Sequence, residues 1–143
     1  MKAHLGIDSK TKLIHSAVAT AANVRDAKIL PDLLHGAETR VWGDSAYTGQ
    51  RAVIRARAPK AQDFTHEKAT RAHPLTDDQK ARNKTKSKVR AKGEHPFLVI
   101  KRLFGFAKIR YRGLMKNAHR LFVTCALANL FLVRRRLLRL SGT

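Results

Sequence analysis

Hydrophobic positions alternate in short runs near the start of the chain and adopt helical spacing toward its end. "AHLGID", the polar "SKTK" and "LIHSAVAT" predict two strands joined by a polar turn. "NVRDAKILPDLLHGA" predicts a helix with Asn23 as its N-cap and Gly36 as its stop, beginning or kinking near Pro31. "TRVWGDSAY" predicts a short strand running into a glycine-containing turn, and "TGQRAVIRARA" a helix that lasts until Pro59. Residues 59–88 are dominated by charged and small polar side chains. They predict a brief strand around Asp63 to His66 and otherwise a loop or a solvated helical stretch. In "EHPFLVIKRLFGFAKIRYRG" a helix runs to about Phe104, and Pro96 fits only in its first turn, so it starts near Glu94 or His95. A long helix from about Asn117 to Leu140 ends in "RRRLLRL". The order of elements predicts an α/β fold.

The apolar stretch "LFVTCALANLFLV", residues 121–133, is too short to span a bilayer and is interrupted by Asn129, so it reads as a buried helix. The chain has 143 residues, the size of one domain with a core of its own, and 43% of them are hydrophobic. The formal charge of +20 changes the picture. Self-repulsion on that scale costs stability unless a polyanion offsets it, and nucleic acid releases counterions wherever a phosphate is neutralised. Charge alone fits a generic basic protein of ribosomal type as well as an enzyme acting on nucleic acid. A single cysteine, Cys125, excludes an internal disulfide and a cysteine metal cage and suits a reducing cytosol. "MKAHLGIDSK" has no apolar run of signal-peptide length, which gives a cytoplasmic expectation with no membrane partner. The histidines show no metal-ligand spacing. The aromatic residues sit mostly in apolar runs, unlike the exposed stacking platforms of RNA-binding sheets.

Two acids stand out. Asp44 follows a short strand where "WGDSAY" turns the chain, and the carboxyl ends of strands face the crevice in which α/β sheets bind ligands. The plainer role for Asp44 is to cap that turn. Glu94 opens a helix amid Arg90, Lys92, Lys101 and Arg102, where a carboxylate also gains from the helix dipole. Arg90 to Glu94 is one helical turn and Glu94 to Lys101 two, so a continuous helix would put all three on one face, provided that Pro96 is absorbed. Such a face suits a carboxylate holding a divalent metal while the cations hold phosphates.

The spacing R-x3-E-x6-K at Arg90, Glu94 and Lys101 resembles the C-terminal signature of bacterial insertion-sequence DDE transposases. "GDSAYTG" is similar to their second-aspartate motif, and "KAHLGIDSKTKLIHSAVATAANVRD" and "KIRYRGLMKNAHRLFVTCALANLFLVRRRLL" resemble further stretches of the same enzymes. The resemblance spans almost the whole chain. It implies an α/β, ribonuclease-H-like mixed sheet with flanking helices and three carboxylates that bind two divalent ions, Mg²⁺ or Mn²⁺. Carried over by motif, Asp44 is the second acid and Glu94 the third, both catalytic and metal-binding. Arg90, Lys101 and Arg102 contact DNA, and Tyr47 supports packing or substrate positioning. The partners implied are DNA at transposon ends and another copy of the chain, or a full-length transposase in a mixed oligomer; association with the nucleoid follows.

Two departures accompany the resemblance. Ser87 stands where the signature often has tyrosine. In these enzymes the first aspartate lies on a strand upstream of "KAHLGID", so residues 1–143 are expected to form a partial catalytic domain without its first strand and first acid, truncated and inactive alone. Asp8, beside a turn, reads as a turn residue rather than a replacement. The competing reading is a non-catalytic basic DNA-binding module or regulator of transposition. The "RRRLLRL" tail fits equally a helix packing its leucines inward and a direct phosphate contact.

Overall fold

The computed structural model describes residues 1–142. They divide into two compact units, one built from Met1–Asn23 together with the chain from Gly93 onward, the other from Val24–Lys92.

In the first unit, β1 (Lys2–Ile7) and β2 (Ile14–Thr20) form an antiparallel pair. Asp8 makes the turn between them. Its backbone oxygen accepts from Lys12 N at 2.8 Å, while its carboxylate accepts from the Thr11 amide and hydroxyl. The Thr11 hydroxyl, foremost, holds the Asp8 carboxyl below the usual carboxylate range. This is the turn role expected of Asp8. Helix α4 (Glu94–Arg102) and the long helix α5 (Leu114–Leu140) complete the unit. Ile14, Val99, Ile100, Leu121, Cys125 and Ala128 form its core, with Leu5, Ile7 and Phe131 packed around it. Burial among these side chains pushes the Cys125 thiol up to about 11.

The stretch expected to be a buried helix is buried on one face only. Leu121, Thr124, Cys125 and Ala128 point inward, whereas Phe122, Val123, Leu127 and Leu130 are exposed. The reason is that α5 meets β2 and α4 along a single side. Asn129, in the middle of that run, clamps β2: its amide oxygen accepts from Ile14 N at 2.9 Å and its amide nitrogen donates to Ile14 O at 2.8 Å. Asn117 likewise binds the backbone of Arg110, Tyr111 and Gly113, ordering the loop that leads into α5. No helix among the described residues is long and apolar enough to cross a membrane.

In the second unit, the expected helix at 23–36 is only a 3-10 turn, Asp26–Ile29, followed by the single turn α1 (Leu30–Leu33). Asn23 caps neither piece. Pro31 lies at the start of α1, where its missing N–H costs nothing, and prevents an unbroken helix from Asp26. Strand β3 (Arg40–Val41) pairs in parallel with β4 (Gln62–Asp63), and α2 (Arg51–Arg57) and α3 (Asp77–Arg90) follow their respective strands. Leu30, Val41 and Ile54 are the core, with Leu34, Val53 and Tyr47 against it. The chain is thus mixed α/β, its strands arranged as one antiparallel and one parallel pair among the described residues.

Candidate active site

The turn "GDSAYTG" is held by four separate requirements. Gly43 lies where a Cβ would meet Tyr47 Cδ2 at 3.0 Å and Thr65 Cγ2 at 3.1 Å, tight enough that these side chains would have to give way. Asp44 has extended backbone and caps the 3-10 turn Ser45–Tyr47, its Oδ1 accepting from Ala46 N at 2.9 Å. Tyr47 packs its ring on the core of this unit, and burial, then the Asp26 and Asp44 carboxylates, push its hydroxyl up to about 12. Gly49 has φ +83°, a left-handed conformation that glycine adopts without strain.

Backbone pairing beyond β3 and β4 sets the position of Asp44. Gln62 N donates to Thr39 O, Phe64 N to Val41 O and His66 N to Gly43 O, at 2.9, 2.8 and 3.0 Å. The parallel ladder therefore continues to the residue before Asp44, as expected of an acid at the carboxyl end of a strand. Trp42 stacks on Phe64 with ring centroids 4.4 Å apart, and the Thr48 hydroxyl donates to His66 O at 2.8 Å.

Helix α3 brings Arg90 to this acid. Its Nη1 lies 3.9 Å from Asp44 Oδ2, and both side chains are 43% exposed. The helix starts at a capping box: the Thr76 hydroxyl accepts from Gln79 N and the Gln79 amide oxygen accepts from Thr76 N. No side chain of α3 is buried. It is tied instead by polar bonds to the segment that follows β4. Asn83 accepts from Glu67 N at 3.0 Å and donates to Glu67 O at 2.9 Å. Lys86 Nζ donates to Thr65 O at 2.8 Å, and the Ser87 hydroxyl shares a hydrogen bond of 3.3 Å with His66 Nε2. Arg82 donates to both Glu67 oxygens, which holds the Glu67 carboxyl below its usual range.

His66 feels the charges of both Asp44 and Arg90, and Ser87 hydrogen-bonds it; His66 was not singled out in the sequence as a site residue. Burial lowers the His66 pKa, and the charges of Arg90 and Lys86 lower it further against an opposing pull from Asp44. A histidine following a short strand carries no motif, and only the fold places it there.

Glu94, Lys101 and Arg102 belong to α4 in the other unit. A 3-10 turn, Ala91–Gly93, separates α3 from α4. Arg90 and Glu94 therefore belong to two helices, and α4 starts at Glu94 as expected. The cause is Pro96, which has no N–H to donate to the carbonyl of Lys92 and instead occupies the first turn of α4, buried. Glu94 and Lys101, two turns apart, do share the exposed side of α4, opposite Val99 and Ile100. Glu94 also gains there from the positive end of the helix.

For a divalent cation, Asp44 fits as one ligand. One of its oxygens accepts a single amide proton and the other faces a guanidinium at 3.9 Å, which leaves carboxylate lone pairs for an ion. Magnesium is commonly held by one or two carboxylates with waters and substrate phosphates. Among the described residues no three His, Cys, Asp or Glu side chains group to form a complete cage.

The family described as Transposase DDE domain matches residues 1–130. No solved structure matches the chain.

Proposed function

The chain belongs to the transposase DDE-domain family, and we propose that it is a DNA-transposition protein whose Asp44 and Glu94 hold the divalent ions for strand cleavage and transfer at transposon ends. The observation that carries this reading is the placement of Asp44 at the end of the parallel ladder with Arg90 3.9 Å away, the two motif residues supplied by different parts of the second unit. Under this reading the fold is the ribonuclease-H-like one that the family implies.

The ion, Mg²⁺ or Mn²⁺, supplies Lewis acidity to the attacking hydroxyl and to the leaving oxygen. The side chains have distinct tasks. Asp44 presents a half-exposed carboxylate already oriented by the Ala46 amide, so little freedom is lost when an ion binds. Arg90, 3.9 Å from that carboxylate, balances its charge and contacts a phosphate of the bound DNA. Tyr47, protonated well above neutral pH, acts as a packing and positioning group beneath the turn and not as a base. Lys101 and Arg102, exposed in the last turn of α4, contact the DNA backbone. Asp8 is committed to the turn after β1. Asp44 and Glu94 thus answer to two of the family's three acids. The second reading is a regulator that occupies DNA without cleaving it, alone or in an oligomer with another transposase subunit.

The test is Mn²⁺ binding followed by electron paramagnetic resonance, with and without a duplex. Asp44→Asn and Glu94→Gln should each weaken Mn²⁺ by tenfold or more, in the range seen when metal ligation is disturbed, while leaving metal-free DNA affinity within about twofold. Unchanged Mn²⁺ affinity in both variants contradicts the metal role and leaves the regulator reading.

A further inference from the structure

Helix α3 has a feature that the metal site does not use. A helix of 14 residues with no buried side chain is unusual, because packing of an apolar face normally provides most of a helix's stability. Here the inward seam is polar, made by Asn83, Lys86 and Ser87. The outward side carries Lys80, Lys84 and Lys88, all exposed, spaced four residues apart. At 1.5 Å per residue, successive lysines are about 6 Å apart along the axis, close to the spacing of phosphates on one nucleic acid strand.

The acids of this region stand at the N-terminal end of that stripe or off it. Asp77 and Asp78 stand in the first turn, where they favour the helix dipole, and Asp77 pairs with Lys80 at 2.9 Å. Glu67 takes Arg82 and Lys86. From Gln79 to Arg90 α3 contains no acid, and among the described residues no ion pair engages Lys84 or Lys88. The stripe ends within a turn of Arg90, the partner of Asp44.

We infer that the outward face of α3 is a docking surface for duplex DNA, with Lys84 and Lys88 each neutralising a backbone phosphate and Lys80 extending the track. The duplex so held runs toward Asp44, flanking the strand to be acted on. The capping box and the Glu67–Asn83 clamp serve to keep this cation-bearing helix folded where no apolar face can. The inference rests on the DNA-processing reading above.

Duplex affinity measured by fluorescence anisotropy between 50 and 300 mM KCl tests it, because each neutralised phosphate contributes about 0.9 to the slope of log K against log salt. In the full chain, K84Q/K88Q should make the slope shallower by about 2, while K84R/K88R and the charge-matched control K10Q/K60Q keep it. Glutamine preserves helix propensity, and circular dichroism checks that α3 persists. A slope for K84Q/K88Q equal to that of K10Q/K60Q overturns the inference, as does tighter binding of an RNA duplex of the same length. Mn²⁺ affinity separates the two claims. K84Q/K88Q should retain it while losing slope, and Asp44→Asn should show the reverse.

Discussion

At Asp44 the carboxylate is oriented by one amide hydrogen bond and balanced by one guanidinium, and the next charge-changing group beside that pair is His66. Burial, Arg90 and Lys86 hold His66 below its usual pKa, so the folded chain prefers a neutral imidazole. An unfolded chain binds the proton more readily, and stability tied to His66 is therefore full above about pH 6.5 and declines as pH falls from there toward the lower folded value. His66→Gln should remove this component. Urea midpoints measured at pH 7.5 and 5.5 should fall less in the variant than in the parent; an equal fall in both would show that His66 has no depressed titration. Asp44, Arg90 and Tyr47 are legible in the sequence because a spacing motif carries them. His66 is not, since its role depends on a ladder that pairs residues 39–43 with 62–66 and on a helix that only then lies alongside.

Among the elements, α3 shows most directly how a helix is stabilised without a buried face. With the capping-box hydroxyl removed, Thr76→Ala costs about 1 kcal/mol, which is roughly a fivefold loss of protection for the α3 amides in hydrogen exchange. Amides of α5 should be unaffected, because its core contacts lie in the other unit. Equal protection of α3 in parent and variant would contradict the importance of the cap. Helix α3 left no hydrophobic period to read, so the sequence supported only a loop or solvated helix there. By contrast, β1, β2, α2, α4 and α5 follow their alternation or spacing closely, α5 beginning at Leu114 where Asn117 was expected. The overestimate at residues 23–36 has a local cause in Pro31. The start of α4 at Glu94, with Pro96 in its first turn, follows from the same physical reason, a missing amide proton that a helix interior does not tolerate.

Over the whole molecule, a chain with two small apolar cores carries +20 of formal charge, and the ion pairs of α3 with Asp77, Glu67 and Asp44 offset only a small part of it. A polyanionic partner relieves that repulsion, which links the overall charge to the functional reading. Membership in the transposase DDE-domain family was visible in the sequence through "GDSAYTG" and the Arg90, Glu94, Lys101 spacing, and the match over residues 1–130 agrees with it. The assignment of Asp44 and Glu94 as metal-holding acids is the claim on which the rest of the account depends. Iron-directed cleavage of the polypeptide tests it most directly: Fe²⁺ replaces Mg²⁺, and ascorbate with peroxide generates hydroxyl radicals that cut the chain beside the bound ion. The account predicts cuts next to Asp44 and next to Glu94, both suppressed by excess Mg²⁺ and lost in Asp44→Asn and Glu94→Gln. Cuts elsewhere only, or cuts that Mg²⁺ does not suppress, would contradict it.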